Sequence, residues 1–399
     1  MKLSLNIKHT LLFLSFFLIT LGNSSYLTAI GIADKIQMTG YLLLMVMIFK
    51  CFMTNNSRKG KLLSIFLIVF ILFSIGIIRQ DLAITTKIHL ILTMIVIDSV
   101  ALLSENIMTH LSDLKIVSYG ILTAILISLI LAMMNGISLT TLAVEGVGDS
   151  SWGFNGGLQH KNYFAVSILA SYMGFFFSKS TEKKDTRLSM LRFIEIILLV
   201  LSNSRGGYIL FITFLLVVNF DKLKLIKKNQ RLPLMIVVLL ITALGTLYFY
   251  TKYVLTSGSY DIRLQGLENY IQRYSNDNFH LWYGNAEMAF RDSGLSYEEN
   301  VRSIVGWNGT TELSILSILI KNGILGLIGY IIIFTLKILD CISLRQSKEK
   351  IFMISTIVVL LTSALLENYI VNIQITFGVF CYIGMSVLYN IGNQKHLSK

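Results

Sequence analysis

The chain is a succession of apolar runs, each roughly the 17–25 residues a helix needs to cross a bilayer. The runs stop once, for a polar and aromatic stretch between Tyr250 and Glu312. With 54% hydrophobic and 14% charged residues and a single proline in 399, neither an ordinary soluble domain nor a disordered chain fits. The runs are continuously apolar rather than alternating, which argues against a membrane β-barrel. The sequence therefore predicts an all-α polytopic membrane protein, a single transmembrane domain over 1–399 with one large loop over 251–312. Candidate spans lie near 10–33, 36–54, 62–78, 82–103, 116–135, 162–178, 192–203, 207–220, 233–250, 313–337, 351–367 and 370–390. The pair flanking Ser204-Arg205 is short, so a tilted or re-entrant hairpin is the alternative there. Lys2 and Lys8 before the first run imitate a signal peptide, but the run is long and further spans follow, which favours a retained helix.

The net charge of +12 finds its explanation in topology rather than in nucleic acid. With both termini placed in the cytoplasm, 23 of the 34 Lys and Arg fall in cytoplasmic segments and nine outside. The large loop then faces outward. Six of the nine outer cations are Arg, the residue suited to a bidentate grip on phosphate. Three scattered cysteines form neither a disulfide framework nor a CxxC pair. No P-loop, GxGxxG, HExxH or EF-hand is present, so neither a nucleotide, another cofactor nor a metal is expected.

Four places can carry chemistry. In Trp152–Asn162, glycines let the backbone approach a ligand, His160 can move a proton, and Lys161 and Asn162 can hold oxygens. The plain alternative is an interfacial loop anchored by Trp152. In Ser202–Gly207, Arg205 between two apolar runs needs water or an anion. In the large loop, Trp282 and Trp307 offer flat faces for sugars, or for packing onto a membrane. There Leu264, Leu267, Ile271 and Tyr274 fall at helical spacing and predict an amphipathic helix carrying Arg263 and Arg273. Either arginine can reach a phosphate or pair with Asp261, Glu268 or Asp277. Finally, Glu312 lies where the chain re-enters the apolar region, as a base or a helix cap. The run that follows predicts a short helix to about Ile320, a break at Gly323, then a span. Asp98, inside the fourth run, needs a partner that the sequence does not identify.

Taken in order, these pieces resemble the O-antigen polymerase and O-antigen ligase superfamily. The segment Gly157-Leu158-Gln159-His160-Lys161-Asn162 is similar to its glycine-rich His/Pro-x-Asn motif. Ser204-Arg205-Gly206-Gly207 is similar to its Ser-Arg-x-Gly turn. Arg263 and Gly284 match landmarks of its outer loop, and Gly323 and Gly326 match its closing Gly-x-x-Gly. The slot that holds the proposed catalytic His in ligases holds Glu312 here, which fits divergent polymerases of capsular or exopolysaccharide clusters better. The resemblance implies a metal-independent glycosyltransferase in the cytoplasmic membrane. Its donor and acceptor are oligosaccharides on undecaprenyl diphosphate, with a chain-length regulator and a flippase as candidate partners. It implies Arg205, Arg263, Arg273 and Lys161 at the diphosphate, and Glu312 or His160 as base. Asn162, Trp282 and Trp307 are assigned to the glycan. A ligase and a flippase of lipid-linked glycans are the alternatives.

Overall fold

A computed structural model describes residues 5–55, 58–108, 110–144, 150–178, 186–219, 259–286, 313–344 and 347–397. Among them the chain is nearly all helix. The helices are α1 (Leu5–Leu21), α2 (Ser25–Ala29), α3 (Ala33–Asn55), α4 (Lys59–Arg79), α5 (Ile84–Asp98), α6 (Leu114–Met134), α7 (Lys161–Ser178), α8 (Thr186–Leu201), α9 (Arg205–Asn219), α10 (Ser259–Tyr274), α11 (Asn278–Tyr283), α12 (Ser314–Ser343), α13 (Lys348–Ala364) and α14 (Thr376–Leu397). One antiparallel hairpin interrupts them, β1 (Thr140–Val144) with β2 (Ser150–Phe154), in the register Thr140 opposite Phe154.

Among the described residues, five segments are long and apolar enough to cross a membrane: Ala33–Met53, Lys59–Arg79, Ile84–Leu103, Leu111–Met134 and Ser314–Ser343. Ile7–Leu21, Arg205–Asn219 and Thr376–Ser386 are shorter apolar helices. The outward faces of α3, α4 and α5 carry Leu42, Val46, Leu67, Ile71, Ile78 and Leu92, all exposed, as lipid contact requires. Between such helices lipid tails are as apolar as leucine, so close packing has to hold the bundle. Gly329 on α12 supplies it: a Cβ there would come within 2.8 Å of the Phe73 ring on α4. The expected run 233–250 lies outside the described residues.

In two places irregular backbone stands where the sequence reading expected helix. The first run ends at Leu21 rather than reaching residue 33, and the turn at Asn23 and Ser24 leads into the short α2. The last two predicted spans, 351–367 and 370–390, are separated by a non-helical segment over 365–375 rather than by a tight turn. This segment is buried at Leu366, Tyr369, Ile370, Val371 and Ile375. Irregular backbone survives at such depth only if its polar groups are paired. Side chains of distant helices do this. Asn23 and Gln37 both donate to the Gln374 carbonyl, at 2.6 and 2.7 Å, and the Tyr41 hydroxyl donates to Ile373. Tyr382 donates to Ile370 at 3.0 Å and Ser314 to Glu367 at 2.6 Å.

The break expected at Gly323 is present, with φ of 61° and ψ of −158° inside α12. That φ favours glycine, and a Cβ would also stand 2.3 Å from the Trp282 carbonyl oxygen. The helical arm before the break packs Leu313, Leu316, Leu319 and Ile320 against Tyr270 and Tyr274 of α10. Thus α10 is amphipathic as expected, but Tyr270 rather than Ile271 faces inward; Ile271 is exposed. Gln80, just beyond α4, ties the whole assembly down. Its amide nitrogen donates to the carbonyls of Tyr283 and Lys321, at 2.6 and 2.9 Å, and its oxygen accepts from the Ala286 amide at 2.6 Å.

Candidate functional site

Two of the four sequence motifs meet at one end of the bundle. The glycine-rich loop is docked on the turn after α1. Ser25 donates its amide to the Gly157 carbonyl, and Gln159 donates to that of Asn23, both at 2.9 Å. The β2 strand then presses on the turn between α8 and α9. A Cβ at Gly153 would sit 2.0 Å from the Ser202 carbonyl oxygen, so only glycine permits this approach. The Asn203 side-chain amide donates to the Trp152 carbonyl at 2.8 Å. Asn203 itself holds a left-handed φ of 46°, a conformation that asparagine tolerates better than most residues.

The first turn of α7 completes the arrangement. Asn162 donates to a carboxylate oxygen of Glu367 at 3.1 Å. Its carbonyl oxygen accepts from the Ser204 hydroxyl at 2.8 Å. Ser204 in turn accepts the Gly207 amide at 3.2 Å, which caps α9. One chain of hydrogen bonds therefore runs from the N-terminus of α9 through Ser204 and Asn162 to Glu367. Arg205 is the next residue, exposed in the first turn of α9. A helix N-terminus and a guanidinium side by side make a surface that favours an anion. The Glu367 backbone is fixed by the Ser314 hydroxyl, so the carboxylate stands beside the start of α12.

The predicted residues divide as follows. Arg205 and Asn162 lie within this arrangement, though both ends of the Asn162 amide are already engaged by protein. Lys161 is 1% exposed and donates to the Asn203 carbonyl at 3.3 Å, inside the protein rather than on its surface. Its position makes it a fastener of the turn. The Nδ1 of His160 accepts the Asn162 amide at 3.1 Å. An accepting Nδ1 leaves the proton on Nε2, which suits a donor better than a base.

Arg273 is exposed in the last turn of α10, on the part of the loop that Gln80 anchors. Trp282 is 43% exposed on α11, with its carbonyl against Gly323. Arg263 belongs to α10, and its side chain lies outside the described residues, as do Glu312 and Trp307 entirely. The acid weighed as a partner for the loop arginines, Asp277, instead caps α11 and binds Nδ1 of His280. That hydrogen bond holds its carboxyl below the usual carboxylate range.

Glu367 is the residue the sequence reading passed over, because it stood at the expected edge of an apolar span. The signal was there: Glu367, Asn368, Asn372 and Gln374 crowd into a short interval of an otherwise apolar region. Among the described residues no group of three or more His, Cys, Asp or Glu is placed to hold a metal ion. The sequence matches no protein-family model and no curated protein.

Proposed function

We propose that this protein is a polysaccharide polymerase of the cytoplasmic membrane, acting at the outer face on oligosaccharide repeat units linked to undecaprenyl diphosphate. In this reading the chain makes twelve spans, both termini are cytoplasmic, and 251–312 is the extracytoplasmic loop. The observation that carries the reading is the hydrogen-bonded path from α9 through Ser204 and Asn162 to Glu367. It sets an exposed arginine at a helix N-terminus near a carboxylate, the two kinds of group that glycosyl transfer from a diphosphate needs.

The acceptor hydroxyl attacks the anomeric carbon of the donor sugar. A new C–O bond forms while the bond to the diphosphate oxygen breaks, and undecaprenyl diphosphate leaves. Arg205 and the α9 N-terminus stabilise the charge that develops on the leaving group, with Arg263 and Arg273 brought in by the loop. The hydroxyl proton passes to a carboxylate. Glu312 has that role by its place in the motif order, and Glu367 by its place beside Asn162. Trp282 and Trp307 line the sugar path, and Lys161 supports Arg205 by holding its turn. No metal enters the scheme.

Deleting the chain and analysing lipid-linked glycans tests this. Single repeat units accumulating on the lipid are expected. Long unattached chains would instead identify a ligase, and units trapped on the inner leaflet a flippase. Arg205→Ala and Glu367→Gln, inserted at normal levels, should reproduce the deletion; chain growth retained in Glu367→Gln returns the proton to Glu312 alone.

A further inference from the structure

A second polar place lies away from this site. Asp98 ends α5 and is fully buried. Neither of its carboxylate oxygens has a hydrogen-bond partner among the described residues. The helix continues past it as a π-helical turn, Ser99–Leu103. Such turns are rare and recur at functional sites. Here two of the turn's carbonyls are held by side chains: Ser104 donates to Val100 at 2.7 Å, and Ser386 donates to Ala101. The unpaired atoms are side-chain oxygens instead, the two of Asp98, the hydroxyl of Ser99 and the hydroxyl of Tyr330 on α12. The Tyr330 hydroxyl on α12 and the Tyr382 hydroxyl on α14 lie close enough to Asp98 to feel its charge. No Lys, Arg or His among the described residues is paired with Asp98.

A bare carboxylate cannot persist in such surroundings, since the cost of removing it from water is several kcal/mol or more. Two carboxylate oxygens without partners, with the unpaired Tyr330 hydroxyl in their field, call for a small monocation. We propose that Asp98, with the Tyr330 hydroxyl, seats one monovalent cation, a proton or a sodium ion, in the interior of the bundle.

The seat adjoins the irregular segment that carries Glu367. A small cavity between them is lined by Val96, Val100, Tyr369, Ile370, Gly378 and Tyr382. The Tyr382 hydroxyl, which feels the charge of Asp98, holds the Ile370 carbonyl. Loading or unloading the seat thus alters the field at a side chain that clamps the same segment. The seat itself does not depend on the polymerase reading.

Infrared spectroscopy of the full chain in lipid nanodiscs tests the proposal at neutral pH, in choline chloride and then with sodium chloride added. In choline chloride, a carbonyl band of a protonated carboxyl group is expected, shifted by isotopic labelling of aspartate and missing from Asp98→Asn. If the band survives saturating sodium, the occupant is the proton; if it titrates away, the occupant is sodium. Tyr330→Phe keeps the packing and should shift the band by removing one hydrogen bond. An aspartate carboxyl spectrum in choline chloride that contains no protonated component overturns the proposal, and this reading needs no variant that folds.

Discussion

Two breaks in helical backbone position the polar face of this protein, and they are built in opposite ways. At Gly323 one residue makes the break, through a left-handed φ and the absence of a side chain where the Trp282 carbonyl passes. Over 365–375 the chain holds no glycine of its own, and Gly378 beyond it only makes room for the Tyr369 carbonyl. The segment stays open because Asn23, Gln37, Tyr41, Ser314 and Tyr382 each hold one of its carbonyls. The first break is local and concentrated. The second is distributed over helices far apart in sequence. A concentrated device should fail at a single substitution, whereas a distributed one should fail gradually.

The largest effect is expected at Gly323. Gly323→Val adds a Cβ at a φ that L-residues avoid and drives it into a carbonyl oxygen, so a loss of about 3 kcal/mol or more follows. Thermal unfolding in detergent, with α10 released to protease, measures it. Next comes Gln80→Leu. It leaves the Ala286 amide and the carbonyls of Tyr283 and Lys321 without their partner, which costs about 2–3 kcal/mol. The same protease assay should show the loop opening while the rest of the bundle stays protected.

At the distributed break, Asn23→Ala and Gln37→Ala each remove one of two donors to the same Gln374 carbonyl. Each alone should cost about 1 kcal/mol or less, and the pair more than the sum. A double-mutant cycle measures the coupling, and strict additivity would remove the contrast drawn above. The smallest effect belongs to Asp277. Its carboxyl is depressed in the folded protein, so its stabilisation is present above the ordinary carboxylate range of about 4 and is lost as pH falls through and below it. Asp277→Asn should therefore lower the melting temperature slightly at neutral pH and not at all in acid.

The contrast also explains what could be read from the sequence. Gly323 was legible because a glycine announces its own conformational freedom. The helices over 33–55, 59–79 and 114–134 were legible because an apolar run of bilayer length has few other folds. The 365–375 segment was not, because three of the five side chains that hold it open lie more than three hundred residues away, which no local window contains. For the same reason Glu367 went unnoticed and Lys161 looked like a ligand contact. A lysine beside a glycine-rich loop reads as available until the turn it fastens has been folded against it. Arg205 was recognised because its cost in an apolar setting is a local property.

The carbonyl clamps have a consequence for biogenesis. Asn23, Gln37 and Tyr41 leave the ribosome long before residues 367–374 exist, and until then Asn23 and Gln37 have only the Ile19 carbonyl to hold, and Tyr41 lacks the Ile373 carbonyl. The earliest-made helices are thus completed by one of the last segments to be synthesised. A chain interrupted ahead of Glu367 would leave those amides half-used and that hydroxyl without the carbonyl it holds, a mark of incompleteness for membrane proteolysis to act upon.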